Sequence, residues 1–170
     1  MIYIEELKID TSQKEQTRIG RQLLLRGLQM EHGITELPAI SLGLFGKPFF
    51  PDYPGIHFNI SHCRRAVVCI ISDKNVGIDV ECIDQFDQDL AQYISNPREF
   101  ETIINSGNPA LAFTICWTRK ESYCKLTGKG LDTRKEIQNI LINNTAIFHT
   151  IIKEKDSLGE AGCIISYCHF

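Results

Sequence analysis

Alternation of hydrophobic and polar positions predicts three consecutive strands in the first half of the chain. His57–His62 alternates along its length, Ala66–Ser72 is almost entirely apolar, and a short polar turn separates it from 76–81. Side chains of a strand point alternately to its two faces, and strands joined by short connections usually pair with their chain neighbours. The pattern therefore predicts a β-meander over these three stretches.

Helices are predicted where apolar residues recur every three to four positions. The helical ranges indicated in this way are 14–32, 87–94, a short helix that begins near Pro97, and 109–126. Gly33 and Gly128 follow two of these ranges, as glycines that end helices commonly do.

The remaining stretches complete a mixed pattern of helices and strands. A short strand is expected at 3–9, and the Gly- and Pro-rich range 43–55 is typical of loop and turns. Further strands are expected at 137–142, 146–153 and 162–169. Each half is thus a helical portion followed by a small antiparallel sheet, which predicts an α/β (more narrowly α+β) fold with halves at 1–83 and 84–170.

Composition narrows the possible functions. The 170 residues are 43% hydrophobic and 23% charged, with a formal net charge of −3. A general nucleic-acid binder needs a basic face, which this charge does not favour. No signal-peptide pattern opens the sequence and no apolar run has membrane-spanning length, so we expect a cytoplasmic protein without a membrane segment.

The cysteines agree with a reducing compartment. There are seven, an odd number, and none forms a C-x-x-C pair. Several lie inside apolar runs, so we interpret them as buried reduced thiols and do not expect a structural zinc site.

Two carboxylates in the third predicted strand are the first candidates for chemistry. Asp79 and Glu81 are two residues apart and therefore share a face. Burial of two like charges is costly unless a cation lies between them, and Mg²⁺ commonly takes one or two carboxylates together with substrate phosphates. Two solvated acids on a half-exposed strand are the alternative.

Charged pairs on two predicted helices leave similar alternatives open. Glu121 and Lys125 are four residues apart and share a face, so they form either an ordinary helical ion pair or a third carboxylate beside a phosphate-binding lysine. Arg18 and Arg21 are three residues apart and are either solvated or a phosphate clamp.

The motifs in their order resemble the 4′-phosphopantetheinyl transferase superfamily, most closely its larger, surfactin-synthetase-activating type. The resemblance extends from about Arg18 to Leu131. The matching motifs are G-R-Q-L-L at 20–24, G-K-P at 46–48, F-N-I-S-H at 58–62, V-G-I-D-V-E at 76–81, W-T-R-K-E-S-Y-C-K at 117–125 and G-K-G-L at 128–131. Each motif alone is weak, but together in this order they are specific.

The resemblance implies two similar α/β halves related by a pseudo-twofold axis, with the active site at their interface. It implies transfer of the 4′-phosphopantetheine arm of coenzyme A to a serine of an acyl or peptidyl carrier protein. Adenosine 3′,5′-bisphosphate is the implied by-product, and Mg²⁺ is the implied cofactor.

The family's site residues transfer to matching positions of this chain. Asp79 and Glu81 match the acidic pair that holds Mg²⁺. Glu121 matches a further metal ligand that is also the proposed base for the serine. Lys125 matches a lysine that contacts the pyrophosphate.

Further residues match the family's coenzyme A site. Ser61 and His62 match residues at the phosphates, and Lys47 matches a lysine of the nucleotide site. Arg21 matches the arginine of the first helix, with Arg18 as the alternative.

The resemblance leaves the partner partly open. Carriers of this kind are generally acidic, so Arg18, Arg26 and Arg119 are candidates for carrier contacts, but the sequence does not identify the carrier or its pathway. A chain with both halves can complete the site as a monomer. The alternative function is a non-catalytic module that binds coenzyme A or a carrier, and the presence of all three carboxylates favours the enzyme.

Overall fold

The computed structural model describes residues 1–8, 10–130, 133–140, 142, 148–155 and 161–169. Its strands are β1 Ile2–Glu6, β2 Ser41–Leu42, β3 Pro48–Phe49, β4 His57–His62, β5 Ala66–Ser72, β6 Val76–Cys82, β7 Phe148–Lys155 and β8 Ala161–His169. Its helices are α1 Gln13–His32, α2 Gln88–Ile94, α3 Pro97–Ile104, α4 Pro109–Thr127 and α5 Arg134–Asn139. The expected combination of helices with small antiparallel sheets is confirmed.

The first sheet has the strand order β1-β5-β4, with both pairings antiparallel. α1 covers the face that carries Val67, Cys69 and Ile71, and these residues share a core with Leu24 and Leu28 of the helix. Alternation along β5 leaves Val68 and Ile70 on the opposite face.

The second sheet has the order β6-β8-β7, again antiparallel. α4 packs on this sheet through a core that includes Cys116, Leu126, Phe148 and Cys168. α4 is therefore held against the strand that carries the two acidic residues.

A third core joins the two sheets face to face. It includes Val68 and Ile70 of the first sheet and Ile78 and Val80 of β6. Because Ile78 and Val80 point into this layer, Asp79 and Glu81 project from the other face of β6, as the sequence alternation predicted.

The predicted meander is wrong at its third strand. β4 pairs with β5, but β6 pairs with β8, so that Asp79 lies opposite Ser166. β5 already has β1 on one edge and β4 on the other, which leaves it no free edge for β6. The division into halves at residue 83 stays a prediction, although β6 precedes that residue and pairs with a strand that follows it.

Local signals placed most helix ends correctly. Gly33 and Gly128 adopt the left-handed conformation at the ends of α1 and α4. Asn96 begins α3 with a capping box that Glu99 completes. Paired side-chain and backbone bonds of this kind satisfy amide groups that a helix end leaves open, which is why these boundaries are readable from sequence.

Two local predictions are wrong. The expected strand at 137–142 is a helix over its described first part, because Thr133 caps α5 by accepting a hydrogen bond from the Glu136 amide. The expected loop at 43–55 contains the small β2–β3 hairpin. Ile9 and residues 146–147, which were expected in strands, lie outside the described residues.

No helix in the described ranges combines the length and apolar character that crossing a membrane requires. All seven cysteines are buried and free of disulfides. The sulfur atoms of Cys63 and Cys82 lie 3.5 Å apart. The expectation of buried reduced thiols is therefore confirmed in this structure.

Candidate active site

β6 presents Asp79 and Glu81 toward α4. Asp79 is nearly inaccessible, with 3% of its surface exposed, whereas Glu81 is half-buried. α4 contributes Glu121 and Lys125, both half-buried and one helical turn apart. The structure thus brings together the four residues that the sequence assigned to the metal and the pyrophosphate.

One oxygen of Asp79 is held by two donors. Asp79 Oδ1 accepts hydrogen bonds from Ser61 Oγ at 2.9 Å and from Lys125 Nζ at 2.5 Å. Lys125 Nζ also donates to Ser61 Oγ at 2.8 Å. Ser61 therefore belongs to the carboxylate cluster itself, and its side chain links β4, β6 and α4.

The second oxygen of Asp79 has no such support. Within the described part of the chain, Oδ2 is buried and no hydrogen-bond partner reaches it. A buried carboxylate oxygen left unpaired is expensive, and such atoms in folded proteins usually face a ligand, an ion or water.

The other two carboxyl groups have raised pKa values. Burial, followed by repulsion from Asp79, raises the pKa of Glu81 to about 7, although Lys125 and a hydrogen bond from Trp117 oppose this. Burial and Asp79 also raise the pKa of Glu121. Three carboxyl groups thus repel each other in a partly desolvated space, and carboxylates are ligands of the kind that a hard cation prefers.

A close approach between α4 and β6 makes this arrangement possible. A Cβ atom added at Gly77 would lie 2.0 Å from Ser122 O and 2.4 Å from Leu126 N. No side chain fits at that distance, so only glycine allows the helix backbone to lie directly on the strand. The glycine of V-G-I-D-V-E therefore sets the depth at which Lys125 meets Asp79.

Asn59 secures the open edge of β6. Its Oδ1 accepts a hydrogen bond from the Ile78 amide at 3.0 Å, and the side chain is buried. Asn59 and Ser61 share one face of β4, and both contact β6. Sequence reasoning did not assign Asn59 a role.

Lys47 is engaged by protein atoms. Its ammonium donates to Asn75 Oδ1 at 2.5 Å, Val76 O at 2.9 Å and Leu126 O at 2.8 Å. Burial lowers its pKa to about 8. The predicted nucleotide contact of Lys47 stays untested, but in this structure all three of its protons are used within the chain.

The remaining predicted coenzyme A residues are not among the described residues that form hydrogen bonds with Asp79. His62 is exposed at the end of β4, immediately after Ser61. Arg18 pairs with Glu15 on α1. Arg21 is exposed, and none of the hydrogen bonds or ion pairs reported for the described residues involves it, so it remains available to a ligand.

The arginines suggested for carrier contacts differ in their exposure and in their contacts. Arg119 points inward, donating to Thr150 Oγ1 at 2.9 Å and to Ile142 O at 3.2 Å. Burial lowers its pKa. Arg26 is exposed on α1. Arg119 therefore supports the packing of α4 on β7 and is a poor candidate for an exposed patch.

Lys120 is a buried residue that sequence reasoning missed. Its side chain has 0% exposure and forms an ion pair with Glu99 at 2.8 Å. The ammonium also donates to Ile137 O at 2.8 Å. Lys120 thus connects α3, α4 and α5, and its position directly before Glu121 gave no sign of this because helix neighbours point in different directions.

A cavity of about 210 Å³ adjoins the cluster. Its lining includes Phe45, Lys47, Asn59, Glu121 and Lys125. Among the residues that the structure describes, no three His, Cys, Asp or Glu side chains form a ready-made metal cage. Of the four cluster residues, Glu121 and Lys125 line this cavity, whereas Asp79 and Glu81 do not.

Comparison with known proteins shows which family this sequence belongs to. A model of the 4′-phosphopantetheinyl transferase superfamily matches residues 75–160, just over half of the chain. This range contains the strand with Asp79 and Glu81 and the helix with Glu121 and Lys125. The chain belongs to the 4′-phosphopantetheinyl transferase superfamily.

Several curated members of the superfamily are similar to this chain. A 4′-phosphopantetheinyl transferase of Bacillus subtilis is 35% identical over 120 residues, covering 68% of this chain and 53% of that protein. The transferase Sfp of B. subtilis strain 168 is 35% identical over 89 residues, covering 51% and 40%. A transferase of Aneurinibacillus migulanus is 42% identical over 89 residues, covering 51% and 37%.

These comparisons confirm the family and the type that the sequence resembles. The chain spans about half, or less, of the length of the curated relatives that it matches. The activity of the complete relatives is therefore only proposed for this chain, in the next subsection.

Proposed function

We propose that this protein transfers the 4′-phosphopantetheine arm of coenzyme A to a serine hydroxyl of an apo carrier protein, with Mg²⁺ as cofactor. The observation that carries the proposal is the cluster of Asp79, Glu81, Glu121 and Lys125 beside an open cavity, in a chain of the transferase superfamily. Adenosine 3′,5′-bisphosphate is the expected by-product.

The carboxylates fit a magnesium ion. Asp79 Oδ2 is buried with no hydrogen-bond partner in the described ranges, and Glu81 and Glu121 are held near Asp79 despite mutual repulsion. These three residues would hold Mg²⁺, which normally keeps water and phosphate oxygens in its remaining positions. When bound, Mg²⁺ neutralises pyrophosphate charge and so favours attack by an oxygen nucleophile.

Lys125 would act on the pyrophosphate. Its ammonium binds both Asp79 and Ser61, and the side chain is 30% exposed and lines the adjoining cavity, where it would reach an anion. As the reaction proceeds, negative charge builds on the oxygen that leaves with adenosine 3′,5′-bisphosphate. A lysine held in place beforehand stabilises this charge more than mobile water does.

Glu121 would accept the proton of the carrier serine. The serine oxygen forms a bond to the phosphorus that carries the pantetheine arm, and the bond from that phosphorus to the bridging oxygen breaks. Glu121 is half-buried and lines the same cavity as Lys125, one turn away, so base and cation act on one substrate. The enzyme thereby aligns the nucleophile with the leaving group.

Other residues are proposed to bind the rest of coenzyme A. Arg21 and His62 are both exposed and are the candidates for its phosphates. Arg21 is favoured over Arg18, because Glu15 already pairs with Arg18. The two proposed halves, 1–83 and 84–170, would meet near this site, with β6 between them.

The setting of the reaction is also a proposal. Seven buried cysteines without disulfides favour a reducing compartment, and we infer a cytoplasmic protein. Since one chain supplies all four cluster residues, we infer a monomer. Neither a nucleic acid nor a membrane has a role in this proposal.

Mass spectrometry tests the reaction directly. An apo acyl carrier protein incubated with coenzyme A, Mg²⁺ and this protein should gain the mass of one phosphopantetheine arm. The gain should disappear with chelator and with Glu121→Gln, but persist with Glu101→Gln, which removes an exposed carboxylate of α3. Failure with several acyl and peptidyl carriers, while coenzyme A still binds, would favour the non-catalytic module.

A further inference from the structure

Lys47 reaches across the molecule from the β2–β3 turn to the junction of β6 and α4. Its three hydrogen bonds end on the side chain of Asn75, the first carbonyl of β6 at Val76, and the carbonyl of Leu126. An ammonium group has three protons, so these contacts use its full donor capacity.

The acceptor at Leu126 lies in the last turn of α4. The last four carbonyls of a helix have no partner within the helix and must be satisfied from outside. Leu126 O receives two such bonds, from Lys47 at 2.8 Å and from Asn75 Nδ2 at 3.0 Å. Lys47 and Asn75 therefore tie the end of this helix to the start of β6.

This junction is where helix and strand come closest. A Cβ at Gly77 would lie 2.4 Å from Leu126 N, and one at Gly128 would lie 3.2 Å from Lys47 Cβ. The aliphatic stem of Lys47 thus contacts the turn that ends α4, while its ammonium binds the carbonyls beneath.

Movement of the helix end is transmitted directly to the reactive cluster. Lys125 immediately precedes Leu126, and its ammonium lies 2.5 Å from Asp79 Oδ1. Val76 begins the same strand that carries Asp79. Loss of the bridge between Leu126 and Val76 would therefore allow Lys125 and Asp79 to separate.

We propose that Lys47 is a positioning residue that fixes the last turn of α4 on β6 and thereby holds Lys125 against Asp79. The direct nucleotide contact expected from the G-K-P motif stays a prediction, and the experiments below decide between the two roles. Its kinetic consequences rest on the proposed transferase function, whereas its structural consequences do not.

The two roles make different demands on Lys47. A nucleotide contact requires the ammonium to leave at least one protein acceptor, and the exposed carbonyls would then need other partners. A positioning role requires the three bonds to persist when the nucleotide binds. Lys47 lines the cavity, so its position alone does not decide between the two roles. Asn75 separates them because it also binds Leu126 O but is not among the residues that line the cavity.

Kinetics and nucleotide binding form the first test. Lys47→Met removes the ammonium and keeps an unbranched side chain, Asn75→Ala removes the neighbouring bridge, and Lys74→Met is a control lysine exposed in the same β5–β6 turn. With Lys47→Met we expect kcat to fall about 10- to 100-fold, because small displacements of reacting groups carry penalties of this size. The dissociation constant of adenosine 3′,5′-bisphosphate should change less than about threefold.

The effects of Lys47→Met and Asn75→Ala on kcat should not be independent of each other. Asn75→Ala should lower kcat in the same direction as Lys47→Met, and the double variant should be less impaired than the product of the single effects, since both remove one bridge. Lys74→Met should match the unaltered protein. A bisphosphate affinity weakened about tenfold or more with kcat retained would instead assign Lys47 to the nucleotide.

Amide hydrogen exchange supplies a readout that does not need activity. Lys47→Met and Asn75→Ala should accelerate exchange in residues 121–128 relative to α1, whereas Lys74→Met should not. Unchanged exchange in 121–128 overturns the proposal, whatever the kinetics. If Lys47→Met does not fold, Asn75→Ala gives the same comparison, and an inactive unaltered protein would refute only the transferase function.

Discussion

At the scale of single residues, Asp79 is distinguished by the unequal treatment of its two oxygens. Oδ1 accepts hydrogen bonds from Ser61 and Lys125, while Oδ2 is buried with no partner among the described residues. An amide in place of the carboxylate would keep the shape but lose the charge that attracts a cation.

We therefore expect Asp79→Asn to reduce transfer activity by about 100-fold or more, with the fold retained, because one preorganised charge commonly contributes this much. Activity should be measured against Mg²⁺ concentration, with circular dichroism as the check on folding. Asp73→Asn, in an exposed turn, is the matched control and should be nearly neutral. An active Asp79→Asn protein with unchanged Mg²⁺ dependence would remove Asp79 from the metal site.

Lys120 is a second residue with a measurable consequence. It is fully buried and its charge is balanced by Glu99. Lys120→Met leaves that carboxylate buried without its cation, so we expect the free energy of unfolding to fall by about 3–5 kcal/mol. Denaturant titration should show this loss, and Lys135→Met, on the exposed side of α5, should lie within about 0.5 kcal/mol of the unaltered protein.

A double variant identifies the cause. Lys120→Met combined with Glu99→Gln removes both charges and keeps a side chain that can accept from the Asn96 amide at the start of α3. We expect part of the lost stability to return, since the uncompensated carboxylate is gone. No recovery would mean that the bond from Lys120 to Ile137 O, and not the ion pair, dominates.

At the scale of elements, the contact between α4 and β6 depends on the missing side chain at Gly77. Gly77→Ala places a methyl group against the helix backbone, where the hypothetical Cβ lies only 2.0 Å from Ser122 O. Backbone cannot move aside as a flexible side chain can, so the whole helix must shift.

The expected loss in unfolding free energy for Gly77→Ala is about 3 kcal/mol or more, at the upper end of the range for overpacked sites. Gly107→Ala is the control, because nothing lies within 4 Å of its added Cβ. Chemical denaturation of both variants measures the difference. Equal stability of the two would contradict the close packing of α4 on β6.

The helices were predictable from the sequence, whereas the pairing of the strands was not. α1 and α4 were predicted nearly to the residue, since Gly33 and Gly128 mark their ends locally. The pairing of β6 with β8 was not predictable, because it depends on which sheet edges remain free after β1 has joined β5. Local pattern determines elements, whereas the order of strands is a property of the assembled sheets.

Some features of the candidate site were likewise predictable from the sequence, and others were not. Asp79, Glu81, Glu121 and Lys125 were predicted through motif resemblance, and the structure brings them together. The bonds that Lys47 makes were not predicted, because its partners at Val76 and Leu126 are backbone carbonyls. Every residue has a carbonyl, so the sequence does not mark the ones that accept a side chain.

At the scale of the whole molecule, the two sheets share a continuous apolar layer. Val68 and Ile70 from one sheet and Ile78 and Val80 from the other are buried together in it. Neither sheet can lose this layer without exposing the inner face of its neighbour. Shared burial of this kind favours a single cooperative unit.

We expect one unfolding transition, coincident for Trp117 fluorescence and far-ultraviolet circular dichroism. Ile78→Ala should lower the free energy of unfolding by about 2–5 kcal/mol and shift both signals together, because its side chain is fully buried between the sheets. Ile152→Ala, a partly exposed position on β7, is the control with a smaller expected loss. Two separated transitions would mean that the halves unfold independently.

The pairing of β6 with β8 has a consequence for how the chain is made. On the ribosome, the strand that carries Asp79 emerges long before its partner, since Asp79 pairs with Ser166. Before β8 has been synthesised, the backbone of β6 has no β8 to pair with, and an unpaired apolar strand can associate with other nascent chains. The cluster around Asp79 is thus completed only after β8 has been synthesised, and nascent chains stalled before β8 should depend most on chaperones.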